Sequence, residues 1–238
     1  MNRISVCMAT FNGEKYIQRQ LLSILSQLGS NDEVIISDDN STDSTLAIIA
    51  QLADSRIRVA RNTGRSGPMG NFEQAIGRAT YDMILLADQD DVWLPNKVGK
   101  MRELLQTNDL VLSDCQVINE TGAVIHESFF RHRGSRTGLL YNLYKNSYVG
   151  CCMAFRRDIV DYILPFPPRV HMHDWWIGLL VEAKGRVCFF PKPLIQYVRH
   201  GNNASPTGER GYGLIEQIQN RFFLTLFLIK RIWKIRKF

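Results

Sequence analysis

Four short apolar runs, separated by segments of helical periodicity, constrain this chain more than any other feature. Ile4 to Ala9 reads ISVCMA, Val34 to Ser37 reads VIIS, and Ile57 to Ala60 and Met83 to Ala87 repeat the pattern. Apolar, largely β-branched runs without polar alternation belong to strands covered on both faces, the situation of a parallel sheet. Between the first two runs, Ile17, Leu21, Ile24, Leu25 and Leu28 share one face of a helix over Lys15 to Leu28. Ser41 and Thr42 then offer N-caps for a helix running through Leu52. The order β-α-β-α-β-α-β predicts an α/β fold: a mostly parallel sheet, helices on both faces and right-handed crossovers.

After Leu94-Pro95 the alternation weakens. Lys97 to Gln106 has helical character, Leu110 to Ser113 and Leu194 to Val198 read as strands, and Val117 to Ile125 folds back around Glu120-Thr121-Gly122 as a hairpin. No repeat or low-complexity linker separates the halves, so residues 1–220 are read as one domain whose second part completes the sheet. Gly134 to Gly138 and Gly201 to Gly213 are the two segments with the loop composition of a mobile cover.

The net charge of +6 points away from nucleic acid once its distribution is considered, because six basic residues and no acidic ones fall between Arg221 and Phe238. Phe222 to Ile229 is far shorter than the roughly 20 apolar residues of a membrane-spanning helix. Lys230, Lys234 and Lys237 alternate with Ile232, Trp233 and Ile235, which predicts over 221–238 a basic amphipathic helix drawn to an anionic membrane surface. The alternative is a helix that packs its Phe and Leu residues on the body. MNRISVCMATFNG lacks the pattern of a secretory signal, so a cytoplasmic body, peripheral on the membrane's inner face, is expected. Five cysteines without C-x-x-C spacing predict reduced thiols.

Polar clusters sit where the apolar runs stop: Thr10-Phe11-Asn12-Gly13, Asp38-Asp39-Asn40-Ser41 and Asp88-Gln89-Asp90-Asp91. Ligands of open parallel sheets bind beyond the carboxyl ends of the strands, so these tips are expected to converge on one crevice. Carboxylates that close repel one another unless a cation neutralises them, which points to Mg²⁺ or Mn²⁺ and a phosphate-bearing ligand. Single aspartates at strand ends are more commonly caps or turn residues, the role expected of Asp43.

TFNGEKYI, SILSQ, DDNSTDST, Asn62 to Phe72 (NTGRSGPMGNF) and ADQDDVW occur in the order that resembles the family 2 glycosyltransferases of the GT-A fold, inverting enzymes that use nucleotide sugars. SYVGCCMAFRR, HDWWIG and YVRHGNN resemble the bacterial rhamnosyltransferase-like subset, with Val149-Gly150 standing where that subset commonly shows Thr-Gly. The resemblance implies that residues 1–100 bind the nucleotide sugar and 101–220 the acceptor. It assigns Thr10, Asn12, Asp39 and Asn71 to the donor, Asp88 to its ribose or sugar, and Asp90 to the metal. Asp174 matches the catalytic carboxylate; Gly150, Trp175 and Trp176 would form acceptor walls. His200 would complete the metal shell or meet the diphosphate, with Arg199 as a phosphate partner. The donor expected is of UDP or TDP type, and the acceptor a glycan on a polyprenyl diphosphate for a surface polysaccharide.

Other readings are weaker. A Mg²⁺-binding receiver domain is about half this length and needs a lysine at a later strand exit. A dinucleotide oxidoreductase needs a G-x-G-x-x-G that Thr10 to Gly13 lacks. Zinc on His171, His173, Asp174 and His200 would lack the i, i+4 histidine spacing of helical sites. A nucleotide-sugar binder without catalysis would keep Asp39 and the metal but not depend on Asp174.

Overall fold

The computed structural model describes residues 2–201 and 213–235. Residues 202–212, most of the second expected loop, and residues 236–238, with Lys237, lie outside the described residues. Strand β1 (Ile4–Thr10) lies between β2 (Glu33–Asp38) and β4 (Met83–Asp88), with β3 (Ile57–Arg61) beyond β2, all parallel. Helices α1 (Ile17–Leu25), α2 (Thr45–Gln51) and α3 (Pro68–Gly77) connect them. β1, β2 and β4 are buried almost throughout, the burial their apolar runs imply. α1 inserts Ile17, Leu21, Ile24 and Leu25 into that core.

The second half extends the same sheet. After the two-residue strand β5 (Val92–Trp93) and helix α4 (Lys97–Leu104), β6 (Leu110–Asn119) turns into β7 (Val124–His126), the expected hairpin. Helices α5 (Phe129–Arg133) and α6 (Leu139–Tyr144) lead to a 3-10 turn at Gly150–Cys152 and to β8 (Met153–Arg156). Helix α7 (Val160–Ile163), α8 (His173–Glu182), β9 (Val187–Arg199) and α9 (Leu214–Ile235) follow. The order across the sheet is β3-β2-β1-β4-β8-β6-β9-β5, with β8 antiparallel to its neighbours and β6 parallel to β9.

That order dictates curvature. β5 starts four residues after β4 ends, yet lies four strands away from it. Four residues reach at most ~14 Å, whereas four flat strand spacings need ~19 Å. The sheet therefore curls, and this brings the end of β9 back beside the turn that follows β4. All five cysteines are free thiols. Helix α9 begins seven residues before the basic segment read from sequence and buries Leu224 and Leu228 against the body.

Candidate active site

The carboxyl ends of β1, β2 and β4 open on a cavity of about 1040 Å³, lined as well by residues 145–146, 148–150 and 170–175 and by one face of α9. Thr10 is buried there; its hydroxyl donates to Asp38 Oδ1 at 3.1 Å, and its carbonyl accepts from Asn71 Nδ2 at 3.0 Å and the Asp39 amide at 2.9 Å. Asn12 adopts positive φ (47°), and its Oδ1 accepts from the Thr42 amide at 2.9 Å, clipping the β1 exit to the β2 exit. Asp39 accepts from Asn62 Nδ2 at 2.9 Å and the Gly67 amide at 2.7 Å, which closes the 62–67 loop. These side chains build the wall as well as face the cavity. Asn71 Oδ1 is buried and has no hydrogen-bond partner.

The acidic turn is held by Gln89, whose amide accepts from the Phe11 N–H at 2.9 Å and donates to the Phe11 carbonyl at 3.0 Å. Asp88 faces the cavity, while Asp91 is fully buried, its Oδ1 accepting from the Val198 amide at 3.1 Å and its Oδ2 unpartnered. Donor atoms of Asp88, Asp91 and Cys151 lie within 4.8 Å of one another. Burial, then repulsion from Asp90 and Asp174, pushes the Asp88 carboxyl up to about 8; burial, Asp90 and Asp88 raise Asp91 well above its ordinary range. Asp90 Oδ2 lies 2.7 Å from His200 Nε2, and the imidazole stacks on Tyr16 at 4.7 Å.

Behind the turn, Lys97 is completely buried, its Nζ 3.3 Å from the Cys151 carbonyl and 4.9 Å from the Trp93 ring centre. Two close carboxylates, an unsatisfied buried oxygen on Asp91 and Asp90 nearby make a donor set that fits a hard divalent cation. Asp88, Asp91 and Cys151 form the three-donor cluster, and the expected metal residues Asp90 and His200 sit beside it in the cavity lining. Among the described residues, the His171, His173, Asp174 and His200 set forms no such cluster.

Asp174 stands in the first turn of α8. Its Oδ1 accepts from the Trp175 amide at 2.6 Å, and the nearby Gly150 N–H also favours the ionised carboxylate. Burial nonetheless dominates and pushes Asp174 up to about 7. Gly150 has no space for a side chain, because a Cβ there would sit 2.5 Å from His173 Nε2. That imidazole is stacked on Phe72 at 4.1 Å, and burial pushes it down to about 3, so it is neutral.

Trp175 lines the cavity and anchors its indole N–H on the Asn142 carbonyl at 2.7 Å. Trp176 does not serve as an acceptor wall: it is 0% exposed, and its indole N–H donates to the Ile163 carbonyl. Neighbouring residues on a helix point ~100° apart, so one face of α8 presents only one of the pair to the cavity. Arg199, the last residue of β9, is likewise outside the cavity lining, whereas Tyr197 and His200, which follows the strand, are part of it. Thr10, Asn12, Asp39, Asn71, Asp88, Asp90, Gly150, Asp174, Trp175 and His200 all line it.

Residues 5–164 match the family model described as Glycosyl transferase family 2. The chain belongs to this family. The Escherichia coli protein WfaP, named as a UDP-Glc:alpha-D-GlcNAc-diphosphoundecaprenol beta-1,3-glucosyltransferase, is 34% identical over 185 residues, covering 78% of this chain and 72% of its own. Among solved structures, TarS of S. aureus with UDP-GlcNAc superimposes with a TM-score of 0.71 at 18% identity, over 98% of this chain. The mannosyltransferase PcManGT from Pyrobaculum calidifontis, in complex with GDP-Man and Mn²⁺, gives 0.64 at 19% identity over 96%. This chain spans 66% and 64% of those two chains. The fold of this family 2 member is therefore that of GT-A glycosyltransferases.

Several site residues escaped the sequence reading. Gln89 and His173 sit inside quoted motifs, but their work is to brace Phe11 and Gly150, contacts made across 78 and 23 residues of chain. Asp91 belongs to the acidic run expected to gather a cation, but nothing local shows that it is buried behind the turn. Lys97 and the cavity face of α9, with Gln217, Asn220 and Arg221, had no local sign of a place at the site.

Proposed function

We propose that this family 2 domain is an inverting, metal-dependent glycosyltransferase. It moves one sugar from a nucleotide diphosphate donor to a hydroxyl of a lipid-linked glycan. The observation that carries the reading is a single cavity lined by a buried, proton-holding carboxylate, Asp174, and by the Asp88–Asp90 turn, with Asp91 behind it. The donor lies against the strand ends: Asp39, Asn12 and Thr10 form the nucleoside wall, and Asn71 Oδ1 is a free acceptor for a donor N–H or O–H. Asp88 and Asp90 would hold Mg²⁺ or Mn²⁺ beside the diphosphate, with His200 next to Asp90 and Asp91 buried behind them. A cation there supplies Lewis-acid stabilisation of the departing phosphate oxygen.

Asp174 is the base. Held in place by the Gly150 and Trp175 amides and kept near pH 7 by burial, it takes the acceptor hydroxyl proton as that oxygen attacks the anomeric carbon from the face opposite the leaving diphosphate. Trp175 and Gly150 shape the acceptor side. The name of WfaP, and the nucleotide sugars bound by the two solved neighbours, support a diphospho-lipid acceptor and a nucleotide-sugar donor without choosing the sugar.

A position on the inner membrane face accords with such an acceptor. Among the described residues no helix is long and apolar enough to cross a membrane. The outer face of α9 exposes Ile215, Ile218, Phe222, Ile229 and Trp233 in one stripe, flanked by Lys230 and Lys234, the pattern of a helix lying on anionic lipid. A panel of UDP, TDP and GDP sugars with Mn²⁺ and a glycosyl diphosphate lipid tests the reading. It expects transfer with inverted anomeric configuration that Asp174→Asn abolishes while nucleotide binding persists. Retained configuration, or unchanged transfer by the variant, would overturn it.

A further inference from the structure

The cavity that holds the acidic turn also has a basic part to its lining. Arg133 at the end of α5, Lys145 just after α6 and Arg221 on α9 all line the cavity, all are partly buried, and none has an ion pair among the described residues. They are held by neutral groups instead. Lys145 Nζ donates to the Arg133 carbonyl at 2.6 Å; Arg221 donates to the Tyr144 carbonyl at 2.8 Å and to the Gln217 carbonyl at 3.2 Å. Arg133 Nε is buried without any partner. Contacts to carbonyls fix the positions of these cations without cancelling their charge. Three uncompensated charges on one cavity wall, one of them with an unsatisfied buried N–H, leave an anion as the missing partner.

We propose that Arg133, Lys145 and Arg221 bind the diphosphate of the acceptor's lipid carrier. This deepens the acceptor reading given above and rests on it. The donor diphosphate has its own counter-charge on the strand-end side, where the carboxylates gather a cation. The basic residues come from elements of the second half and from α9, not from the strand ends, so the cavity would carry a second phosphate site of its own. A sugar diphosphate diester brings two negative charges and several acceptor oxygens, which suits three donors better than a single carboxylate does. α9 then has two jobs on two faces: Arg221 meets the diphosphate within the cavity, and the outer stripe rests on the lipid that carries it.

The test compares two synthetic acceptors with the same sugar and the same decyl chain, one joined through a diphosphate and one through a plain glycosidic oxygen. Wild type should prefer the diphosphate acceptor, and Arg133→Gln should raise its KM about ten- to hundredfold, the worth of a charge-assisted hydrogen bond. The preference between the two acceptors should shrink accordingly. Lys145→Gln and Arg221→Gln should act in the same direction, so the outcome does not hang on one variant's folding. Calorimetry on the full chain with inorganic pyrophosphate, metal omitted, should show salt-sensitive binding that Arg133→Gln weakens; UDP competing for that heat would instead assign the cations to the donor. An equal KM change on both acceptors, or none, would overturn the diphosphate site while leaving the transfer reading intact. Absence of wild-type transfer and of Mn²⁺-dependent nucleotide binding would instead remove the reading beneath it.

Discussion

Replacing Asp174 by asparagine should stabilise the metal-free protein at pH 8 and destabilise it at pH 4. Burial holds this carboxyl at about 7, against an ordinary value of 3.8. A folded pKa above the unfolded one means that the folded state keeps its proton to higher pH. Stability is therefore undiminished by this group below pH ~4 and falls as pH rises through about 7. The gap corresponds to up to roughly 4 kcal/mol once Asp174 is fully ionised, at ~1.4 kcal/mol per pH unit. Asparagine removes that cost. It also gives up one of the two amide contacts from Trp175 and Gly150, because its NH₂ cannot accept, a loss of about 1–2 kcal/mol. The net expectation is a gain of about 2 kcal/mol at pH 8, or ~4–8 °C in Tm for a chain of this size, and a loss of about 1 kcal/mol at pH 4. Thermal or urea unfolding of both proteins at the two pH values measures the crossover. A variant less stable than wild type at pH 8, or a difference that does not change with pH, would refute the buried-carboxylate argument. The same substitution should cut kcat by about 10²–10⁴.

Other outcomes follow from the same geometry. In wild type, kcat/KM should climb with pH up to about 7 as Asp174 loses its proton, a limb that a pH profile would locate. Mn²⁺ should bind more tightly at pH 8 than at pH 6 by calorimetry, because the Asp88 carboxyl, pushed up to about 8, must give up its proton to a cation; equal affinities would count against these ligands. Gly150→Ala should lower stability by about 1–3 kcal/mol, since the added methyl meets a His173 ring pinned by Phe72, and should lower kcat as the Asp174 contact is disturbed. Phe222→Ser with Trp233→Ser should weaken sedimentation with anionic vesicles while leaving the far-UV spectrum unchanged; undiminished sedimentation would detach α9 from the membrane role.

What the sequence by itself determined is the scaffold and the kind of chemistry. Uninterrupted apolar runs at Ile4, Val34 and Met83 have to be covered on both sides, and polar tips that end such strands have to fall on one edge, so the crevice and its carboxylates were legible before any coordinates. Direction was not. Asp90 and Asp91, Trp175 and Trp176, and Arg199 and His200 are adjacent in sequence and chemically alike enough to serve. Which member of each pair faces the cavity depends on helix phase, on the turns that end the strands and on the curl of the sheet. The curl results from β5 pairing with β9 four residues after β4, a long-range choice with no local trace. Only that tertiary closure brings His200 to Asp90 across 110 residues, places Gly150 beneath Asp174, and turns one side of α9 from a basic tail into a wall of the site. Short-range sterics and hydrophobicity set the elements; the contacts that make a site join positions far apart in sequence, whose meeting is decided when the whole core packs at once.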